Sequence, residues 1–347
     1  MKTLGVGVIG LGAIAQIHFE AIKKCEQLKL TGIYARKQDQ ARSEAEKWGC
    51  VAFQSPDELM ANPNVDIVVL LTPPGIHKEL INKAIHYNKH ILLEKPIGTY
   101  LKDIEEYIQA ASEKNLSFSV VSQHRFDNAS QLVKEKIERG YIGEIVGANC
   151  SVNWYRDTDY YQGWRTKQEL AGGGVLAIQG IHTIDLMLWF LGEVESVKGY
   201  VTNRLHKDIG VEDTAMATVK FANGSLGSIS ASTSSYPGFP ARLELLGTNG
   251  SITIEGDRLV FYQSNLDENP PIVQVKSAKT TDSPSDVSIE PFVTQYEDVI
   301  RSIEQSKEPL VSGEEAFKAY RLVAAIYKSS ETGLEINLKE VSACLTK

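Results

Sequence analysis

Short apolar runs alternate with amphipathic stretches along the first third of the chain. Buried strands are predicted at LGVGVIG (4–10), LKLTGIYA (28–35), VDIVVLLTPP (65–74), KHILL (89–93) and LSFSVVSQ (116–123). The stretches between them, such as HKELINKAIHYNK, repeat apolar residues at helical spacing. Continuous apolar strands that alternate with helices are typical of a parallel sheet covered on both faces. The pattern predicts a doubly wound α/β domain over residues 1–123.

Strand-like alternation dominates from about residue 195 onwards. The runs SVKGYVTNR, DTAMATVKFA and GSLGSISAST favour a sheet that is packed on one face. A polar, proline-containing excursion is predicted at residues 263–290, and two amphipathic helices, EPFVTQYEDVIRSIEQ and GEEAFKAYRLVAAIYKSS, follow it. We therefore predict a second, α+β domain over residues 124–347.

The composition is that of a soluble globular protein with two domains. A chain of 347 residues exceeds one ordinary core. The net charge of -8 disfavours nucleic acid and anionic membranes as partners. No uninterrupted apolar run reaches the roughly 18 residues of a membrane helix.

The cysteine spacing bears on compartment and metal content. Cys25, Cys50, Cys150 and Cys344 form no close pair, which is typical of a reducing cytosol. The spacing also disfavours a disulfide framework or a zinc site. We expect a cytoplasmic protein without a metal site.

A glycine-rich turn joins the first predicted strand to the first helix. The motif is GxGxxA, and its candidate ligand-binding residues are Gly10, Gly12, Ala13 and Ile14. Glycines at such a turn let the backbone approach a pyrophosphate at the helix N-terminus. A plain glycine turn is the alternative, but the strand–turn–helix context favours a dinucleotide site.

Two cations, Arg36 and Lys37, follow the second predicted strand. Proteins selective for NAD usually place an acid there, for the ribose 2′-hydroxyl. The cations favour the 2′-phosphate of NADP. A solvated loop with Arg36 stacked on adenine is the alternative, and NAD stays open.

Four patterns then occur in order: VGVIGLGAIA, LLTPPGIHKELINKAI, KHILLEKPIG and GGGVLAIQGIHTIDLMLWFLG. Together they resemble the Gfo/Idh/MocA oxidoreductases, over roughly residues 4–200. The resemblance implies an N-terminal Rossmann domain. It also implies a C-terminal domain with a large, open, mostly antiparallel sheet that binds substrate and forms homo-oligomers, dimers or tetramers.

The resemblance also assigns residues to the cofactor site. Thr72, Pro73 and His77 match a cofactor-binding segment. Glu94 matches a glutamate beside the nicotinamide ribose, and Lys95 matches the active-site lysine, whose bond to the following proline is often cis. In the crossover segment QHRF we assign Gln123 to the cofactor and Arg125 to the substrate.

An aromatic and cationic cluster is expected to bind a sugar. Its members are Trp154, Tyr155, Arg156, Tyr160, Tyr161, Trp164 and Arg165. Aromatic planes stack on the C–H faces of sugars, and arginines bind hydroxyls or phosphates. Tyr155, Trp164 and Arg165 are the substrate-binding candidates, and the alternative is a loop that packs its own aromatics.

A predicted helix after Gly172–Gly174 carries His182 and Asp185 on one face. His182 is the candidate general acid/base, and Asp185 and Gln179 are candidate substrate-binding residues. A satisfied structural histidine is the alternative. Many family members carry an acid four residues before this histidine, where this chain has Ile178, so an inositol dehydrogenase in particular is disfavoured.

These features predict an NAD(P)-dependent oxidoreductase that acts on a secondary alcohol or ketone of a sugar, polyol or nucleotide sugar. Lys95 would donate to the reacting oxygen and His182 would exchange the proton, with the two roles interchangeable. Two alternatives share the fold: a non-catalytic dinucleotide sensor, and a glycosidase that uses NAD through a 3-keto intermediate.

Overall fold

A computed structural model of the chain describes residues 3–273 and 288–341. Cys344 and residues 274–287, half of the polar excursion predicted at 263–290, lie outside these residues. The chain packs into two compact units. The first comprises the described residues of Met1–Gln123 and Ser283–Phe317, and the second those of His124–Asp282 and Lys318–Lys347.

The first unit is built on a six-stranded sheet. Its strands are β1 (Leu4–Ile9), β2 (Leu28–Tyr34), β3 (Val51–Ala52), β4 (Ile67–Leu70), β5 (His90–Leu93) and β6 (Phe118–Val120). The strand order is β3-β2-β1-β4-β5-β6, and every pair is parallel. This is the doubly wound order of dinucleotide-binding domains, so the predicted Rossmann fold is confirmed.

Helices connect these strands. They are α1 (Ala15–Lys24), α2 (Gln38–Trp48), α3 (Pro56–Ala61), α4 (His77–His86) and α5 (Leu101–Glu113). α1 buries Phe19 and Ile22 against the β1 side chains Val6 and Val8, which are themselves inaccessible to solvent. Burial of these side chains stabilises the unit by about 1.5–3 kcal/mol each.

The second unit begins with α6 (Asn128–Glu138) and contains an eight-stranded sheet. The helices that follow α6 are α7 (Gln168–Ala171) and α8 (Ile181–Leu191). The strands are β7 (Ile145–Asn153), β8 (Val194–Thr202), β9 (Thr214–Phe221), β10 (Leu226–Ser232), β11 (Arg242–Gly247), β12 (Gly250–Glu255), β13 (Arg258–Ser264) and β14 (Ile336–Asn337).

The order of this sheet is β13-β12-β11-β7-β10-β9-β8-β14. Only the β7–β10 pair is parallel among these strands, so the expected mostly antiparallel sheet is confirmed. β9 alternates buried and exposed residues along its length, because one face of the sheet packs against the core.

Two more helices follow the undescribed segment, α9 (Glu290–Gln305) and α10 (Gly313–Thr332). α9 buries Phe292, Tyr296, Val299 and Ile300 in the same apolar core as β1 and α1. The predicted domain boundaries gave residues 124–347 to one continuous second domain. The packing differs, because this amphipathic helix covers α1 and returns the chain to the first unit.

The helix predicted after the glycine run is not uniform. Leu176–Gly180 form a π-helical turn, and α8 continues from Ile181. The stretch Gln168–Leu191 has the length and hydropathy of a membrane span, but 89% of its most apolar window is buried in the protein. Such burial is typical of the core helix of a globular domain.

Candidate active site

The turn between β1 and α1 contains one glycine packed closely against its neighbours and one that borders open space. Gly10 has φ +110°, and a Cβ there would lie 2.5 Å from the carbonyl oxygen of Leu71. A Cβ on Gly12 would meet no atom within 4 Å, so this backbone borders open space. Ala13 is exposed, and Ile14 packs on the core immediately before α1. A pyrophosphate needs such a bare approach at a helix N-terminus, and the turn fits one.

Two cations stand at the end of β2. Arg36 and Lys37 are exposed, and Lys37 directly precedes α2. Within residues 3–273 and 288–341, neither side chain forms an ion pair. This edge of the sheet therefore carries two cations that are not paired with a carboxylate within the described residues, and the nearby Asp39 pairs with Arg42 instead.

The end of β4 is held by a buried histidine. Thr72 and Pro73 are half-buried in the turn, and His77 Nε2 donates to the carbonyl oxygen of Thr72 at 2.9 Å. Burial lowers the pKa of His77 to about 4, so its ring is neutral at physiological pH. The ring is fully buried and so holds the shape of the turn, and the cofactor contact expected of His77 stays a prediction.

The charged pair Glu94–Lys95 follows β5 at the same edge of the sheet. The Glu94 N–H donates to the carbonyl oxygen of Leu70 at 2.9 Å, which extends the β4–β5 pairing past the strand end. The Glu94 carboxylate accepts from the Lys95 N–H at 3.1 Å, and both side chains are half-buried. The Lys95–Pro96 bond is cis, as the resemblance implied.

Two residues that the sequence analysis missed support Glu94. His18 Nε2 lies 3.3 Å from Glu94 Oε1, and His18 Nδ1 lies 2.8 Å from the hydroxyl of Tyr296. His18 is on α1 and Tyr296 is on α9, and both are buried. A histidine at this position of a glycine-turn helix was the available signal, but its partners are distant in sequence.

Gln123 is the last residue of the first segment of the first unit and is buried. Its Oε1 is inaccessible and has no hydrogen-bond partner in the part of the chain that the structure describes. Buried amide oxygens are rarely left unpaired, so this atom is suited to a ligand or a water molecule.

In the second unit, His182 is the second residue of α8 and is half-buried. Its ring stands edge-on to that of His124, with centroids 5.4 Å apart and planes at 88°. His124 Nδ1 is 2.6 Å from Asp127 Oδ2, so a carboxylate orients this second imidazole. The sequence analysis did not select His124 or Asp127.

Arg125 and Asp185 bind each other, which differs from their expected roles in substrate binding. Arg125 Nε donates to Asp185 Oδ2 at 2.8 Å, and Nη2 donates to Oδ1 at 2.7 Å. Their side chains are only 2% and 6% exposed. A bidentate pair satisfies both charges in the interior, so the pair holds α8 to the segment that precedes α6.

The aromatic and cationic cluster is an ordered stack. The Arg156 guanidinium lies over the rings of Trp154 and Tyr160, at 5.0 and 5.4 Å from their centroids. Arg165 lies over Tyr160 and Trp164, at 5.0 and 4.8 Å. Alternating cations and rings gain cation–π attraction, which keeps both arginines in place.

Gln179 joins this stack to the helix that carries His182. Its Nε2 donates to the Tyr160 hydroxyl at 2.7 Å, and the side chain is buried. Gln179 was predicted to bind substrate, and the structure gives it Tyr160 as a partner. Its Oε1 is also buried and has no hydrogen-bond partner in the described ranges.

The remaining aromatic candidates have different surroundings. Tyr155 packs edge-on against Tyr236, which is 80% exposed. Trp164 packs against a small apolar cluster that includes Tyr161 and Ile178. At the position where many family members have an acid, Ile178 therefore packs within a small hydrophobic cluster. Ile178 also lies within the π-helical turn, so its relation to His182 is not that of a regular α-helix.

Glu212 holds the glycine run that leads into the π-helical turn. Its carboxylate accepts from the Gly174 N–H at 2.7 Å, the Leu176 N–H at 2.9 Å and the Tyr327 hydroxyl at 2.9 Å. Burial raises the pKa of Glu212 to about 7. Sequence alone gave no signal for this residue, because no motif marks it.

No group of three or more His, Cys, Asp or Glu side chains in residues 3–273 and 288–341 is arranged to hold a metal ion. Cys25 and Cys150 are buried free thiols, and burial raises the pKa of Cys25 to about 11 and of Cys150 to about 12. Such thiols are inert in their surroundings.

Two family models match the chain. Residues 4–122 match the oxidoreductase family with an NAD-binding Rossmann fold, and residues 130–253 match the GFO/IDH/MocA C-terminal domain. The chain is 28% identical over 346 residues to myo-inositol 2-dehydrogenase of Thermotoga maritima, covering 97% of this chain and 99% of that protein.

Two further comparisons agree with these matches. Identity to scyllo-inositol 2-dehydrogenase (NAD(+)) of Bacillus subtilis is 30% over 264 residues, or 71% of this chain and 72% of that protein. The WlbA dehydrogenase of Bordetella pertussis, solved with NADH and UDP-GlcNAcA, superimposes with a TM-score of 0.84 at 28% identity. That match covers 97% of this chain and 99% of the other. The chain belongs to the GFO/IDH/MocA family of NAD-binding oxidoreductases.

Proposed function

We propose that the protein is an NAD(P)-dependent dehydrogenase or reductase that acts on a secondary alcohol or ketone of a sugar, polyol or nucleotide sugar. The observation that carries this proposal is the open space beside the backbone of Gly12, in the turn that follows β1. The TPP and EKP segments follow β4 and β5, the neighbouring strands of the same sheet. Ligands of doubly wound sheets bind at the carboxyl ends of the strands.

The residues proposed to hold the dinucleotide all belong to the first unit. They are Gly10, Gly12, Ala13, Ile14, Arg36, Lys37, Thr72, Pro73, His77, Glu94, Lys95 and Gln123. When bound, the nicotinamide accepts or donates a hydride, and the protein supplies orientation and proton transfer.

Separate roles are proposed for the two catalytic residues. Lys95 donates a hydrogen bond to the substrate oxygen that gains or loses a proton, since an ammonium stabilises developing negative charge. His182 exchanges the proton as a general acid/base, because an imidazole titrates near neutral pH. The half-buried position of each side chain supports these roles, since both remain reachable from solvent.

We propose NADP as the preferred cofactor over NAD. The exposed cations Arg36 and Lys37 support this preference, because a 2′-phosphate would supply the negative charge that this edge lacks. The relatives named above include an NAD(+) enzyme and a complex with NADH, so direct comparison of the two cofactors is required.

The proposed substrate is a small sugar-like molecule. The relatives are named for inositols, and one was solved with UDP-GlcNAcA. Support from this chain comes from Tyr155, Trp164 and Arg165, which offer aromatic faces and a guanidinium for hydroxyl or acidic groups. The net charge of -8 supports a protein that binds neither nucleic acid nor anionic membranes. The spacing of the four cysteines supports a cytoplasmic location. We further propose a homo-oligomer, a dimer or a tetramer.

The test follows nicotinamide absorbance with NAD and NADP in parallel, against free sugars, inositols, sugar phosphates and nucleotide sugars. Lys95→Ala is compared with the wild type, and Lys29→Ala, an exposed lysine on β2, is the matched control. We expect turnover in the wild type and the control and a loss of at least a hundredfold in Lys95→Ala. Tight cofactor binding without turnover of any compound would instead favour a sensor, and release of a leaving group without net cofactor change would favour a glycosidase.

A further inference from the structure

Three polar side chains of the first unit form a hydrogen-bonded series that ends at the Glu94 carboxylate. The Tyr296 hydroxyl is 2.8 Å from His18 Nδ1, and His18 Nε2 is 3.3 Å from Glu94 Oε1. His18 has no exposed surface, Tyr296 is 1% exposed, and the Glu94 side chain is 12% exposed. The hydrogen-bonded series thus runs from the interior to a carboxylate that reaches the surface of the unit.

The donor and the acceptor of each hydrogen bond in this series follow from the chemistry of the groups. An ionised Glu94 carboxylate only accepts, so His18 Nε2 must carry the proton that it receives. In a neutral imidazole Nδ1 is then an acceptor, and the Tyr296 hydroxyl must donate to it. Burial raises the pKa of Tyr296 well above its ordinary value, so its proton is retained. The hydroxyl, the imidazole and the carboxylate are thus linked donor to acceptor in this order.

The imidazole is fixed from both sides. His18 belongs to α1, the helix that starts at the glycine turn, and Tyr296 belongs to α9. Phe292, one turn before Tyr296, packs edge-on against the imidazole with centroids 5.3 Å apart. A ring held by packing and by two hydrogen bonds has little freedom to rotate, so its Nε2–H points in one direction.

The orientation of the Glu94 carboxylate is fixed as a result, because each of its oxygens accepts a hydrogen bond. One oxygen accepts from His18 and the other accepts from the Lys95 N–H at 3.1 Å. Each carboxylate oxygen has two acceptor positions, so capacity remains for a further donor. The exposed part of the side chain is the part available to a ligand hydroxyl.

We propose that His18 is a positioning residue that orients the Glu94 carboxylate to accept from a hydroxyl of the nicotinamide ribose. This inference rests on the proposed function, in which Glu94 helps to hold the dinucleotide, and on the family resemblance, which implies a place for Glu94 beside that ribose. At position 18 the imidazole donates to Glu94 through Nε2 while Nδ1 accepts from the buried Tyr296 hydroxyl, and an apolar side chain could do neither. The histidine is therefore explained by the direction that it imposes on Glu94.

The experiment measures equilibrium binding of NADH and of ADP, by calorimetry, to the full chain. ADP contains the adenosine and pyrophosphate portions and lacks the nicotinamide ribose. His18→Phe keeps a ring of similar size but cannot donate to Glu94, and His86→Phe, at an exposed position on α4, is the matched control. We expect His18→Phe to weaken NADH binding about tenfold or more, as for loss of a hydrogen bond to a charged group, and to leave ADP binding within about twofold.

Two further variants separate positioning from general disruption. In a Glu94→Gln background, His18→Phe is expected to have little additional effect on NADH affinity, because the carboxylate that it orients is gone. Tyr296→Phe retains the Nε2 donor and is expected to weaken NADH binding by a smaller factor than His18→Phe. If His18→Phe does not fold, His18→Gln, whose amide can donate to Glu94, is expected to bind NADH more tightly than His18→Leu, which cannot.

The results distinguish this inference from the proposed function. An equal loss of NADH and ADP affinity, unchanged NADH affinity, equal binding by the Gln and Leu variants, or a full His18 effect without the Glu94 carboxylate would each overturn the positioning role. A wild type that binds neither NADH nor NADPH would overturn the proposed function, and the inference with it.

Discussion

The carboxylate of Glu212 binds the backbone of Gly174 at 2.7 Å and so fixes the glycine run that leads to the helix of His182. A Cβ on Gly174 would lie 1.8 Å from the carbonyl oxygen of Glu212, so the two segments are in direct backbone contact. Together with the hydrogen bond from the Leu176 N–H, this contact holds the residues that lead into the π-helical turn.

Glu212→Ala is therefore expected to destabilise the protein by about 3 kcal/mol or more. The substitution leaves two buried N–H groups and a tyrosine hydroxyl without their acceptor, and each unsatisfied group costs about 1–3 kcal/mol. Urea unfolding measures the change in the free energy of unfolding, and Glu169→Ala, at an exposed position on α7, is the control. A loss below 1 kcal/mol would show that these groups find other partners.

The stability of the protein is expected to depend on pH through Glu212. Burial raises the pKa of Glu212 from 4.5 to about 7, so the folded state holds this proton more tightly than the unfolded state. The contribution is fully present below pH 4.5 and is lost as the pH rises through about 7. Between these two pH values, the free energy of unfolding is expected to fall by up to about 3 kcal/mol because of Glu212.

This dependence is isolated by a difference measurement, because other groups titrate in the same range. The free energy of unfolding is measured from pH 4.5 to pH 8 for the wild type and for Glu212→Gln. The wild-type value minus the variant value is expected to fall with rising pH. A flat or rising difference would contradict the raised pKa.

Replacement of Arg36 and Lys37 by alanine is expected to weaken NADPH binding about tenfold or more and to change NADH binding by less than about threefold. Charge-assisted hydrogen bonds to a phosphate account for the difference, because only NADPH carries the 2′-phosphate. Dissociation constants for both cofactors, at one fixed salt concentration, provide the measurement. Equal changes for both would indicate that Arg36 stacks on adenine instead.

Asp185→Ala is expected to destabilise the protein by about 3–5 kcal/mol, because it leaves the buried Arg125 guanidinium without its carboxylate. The KM for substrate in the remaining folded enzyme is expected to change little, since both side chains are buried and paired with each other. Thermal unfolding and steady-state kinetics measure the two effects. A large rise in KM with unchanged stability would restore the substrate-binding role.

The sequence determined the class of the protein. The apolar strand runs and the glycine turn require only local information, since period and turn chemistry are written in neighbouring residues. That information sufficed to predict a parallel, doubly wound first sheet and to find the motifs that carry the family resemblance. It also located Glu94 and Lys95 at a strand end.

The tertiary structure decided which side chains are partners. His18 meets Glu94 from 76 residues away and Tyr296 from 278 residues away. The Arg125–Asp185 pair spans 60 residues, and the sequence analysis, which assigned each residue to the substrate, did not predict that they bind each other. The return of α9 to the first unit is of the same kind. Periodicity and motif spacing describe single elements, whereas a buried polar group is satisfied by whatever the fold brings within about 3 Å, and only the packed chain fixes that choice.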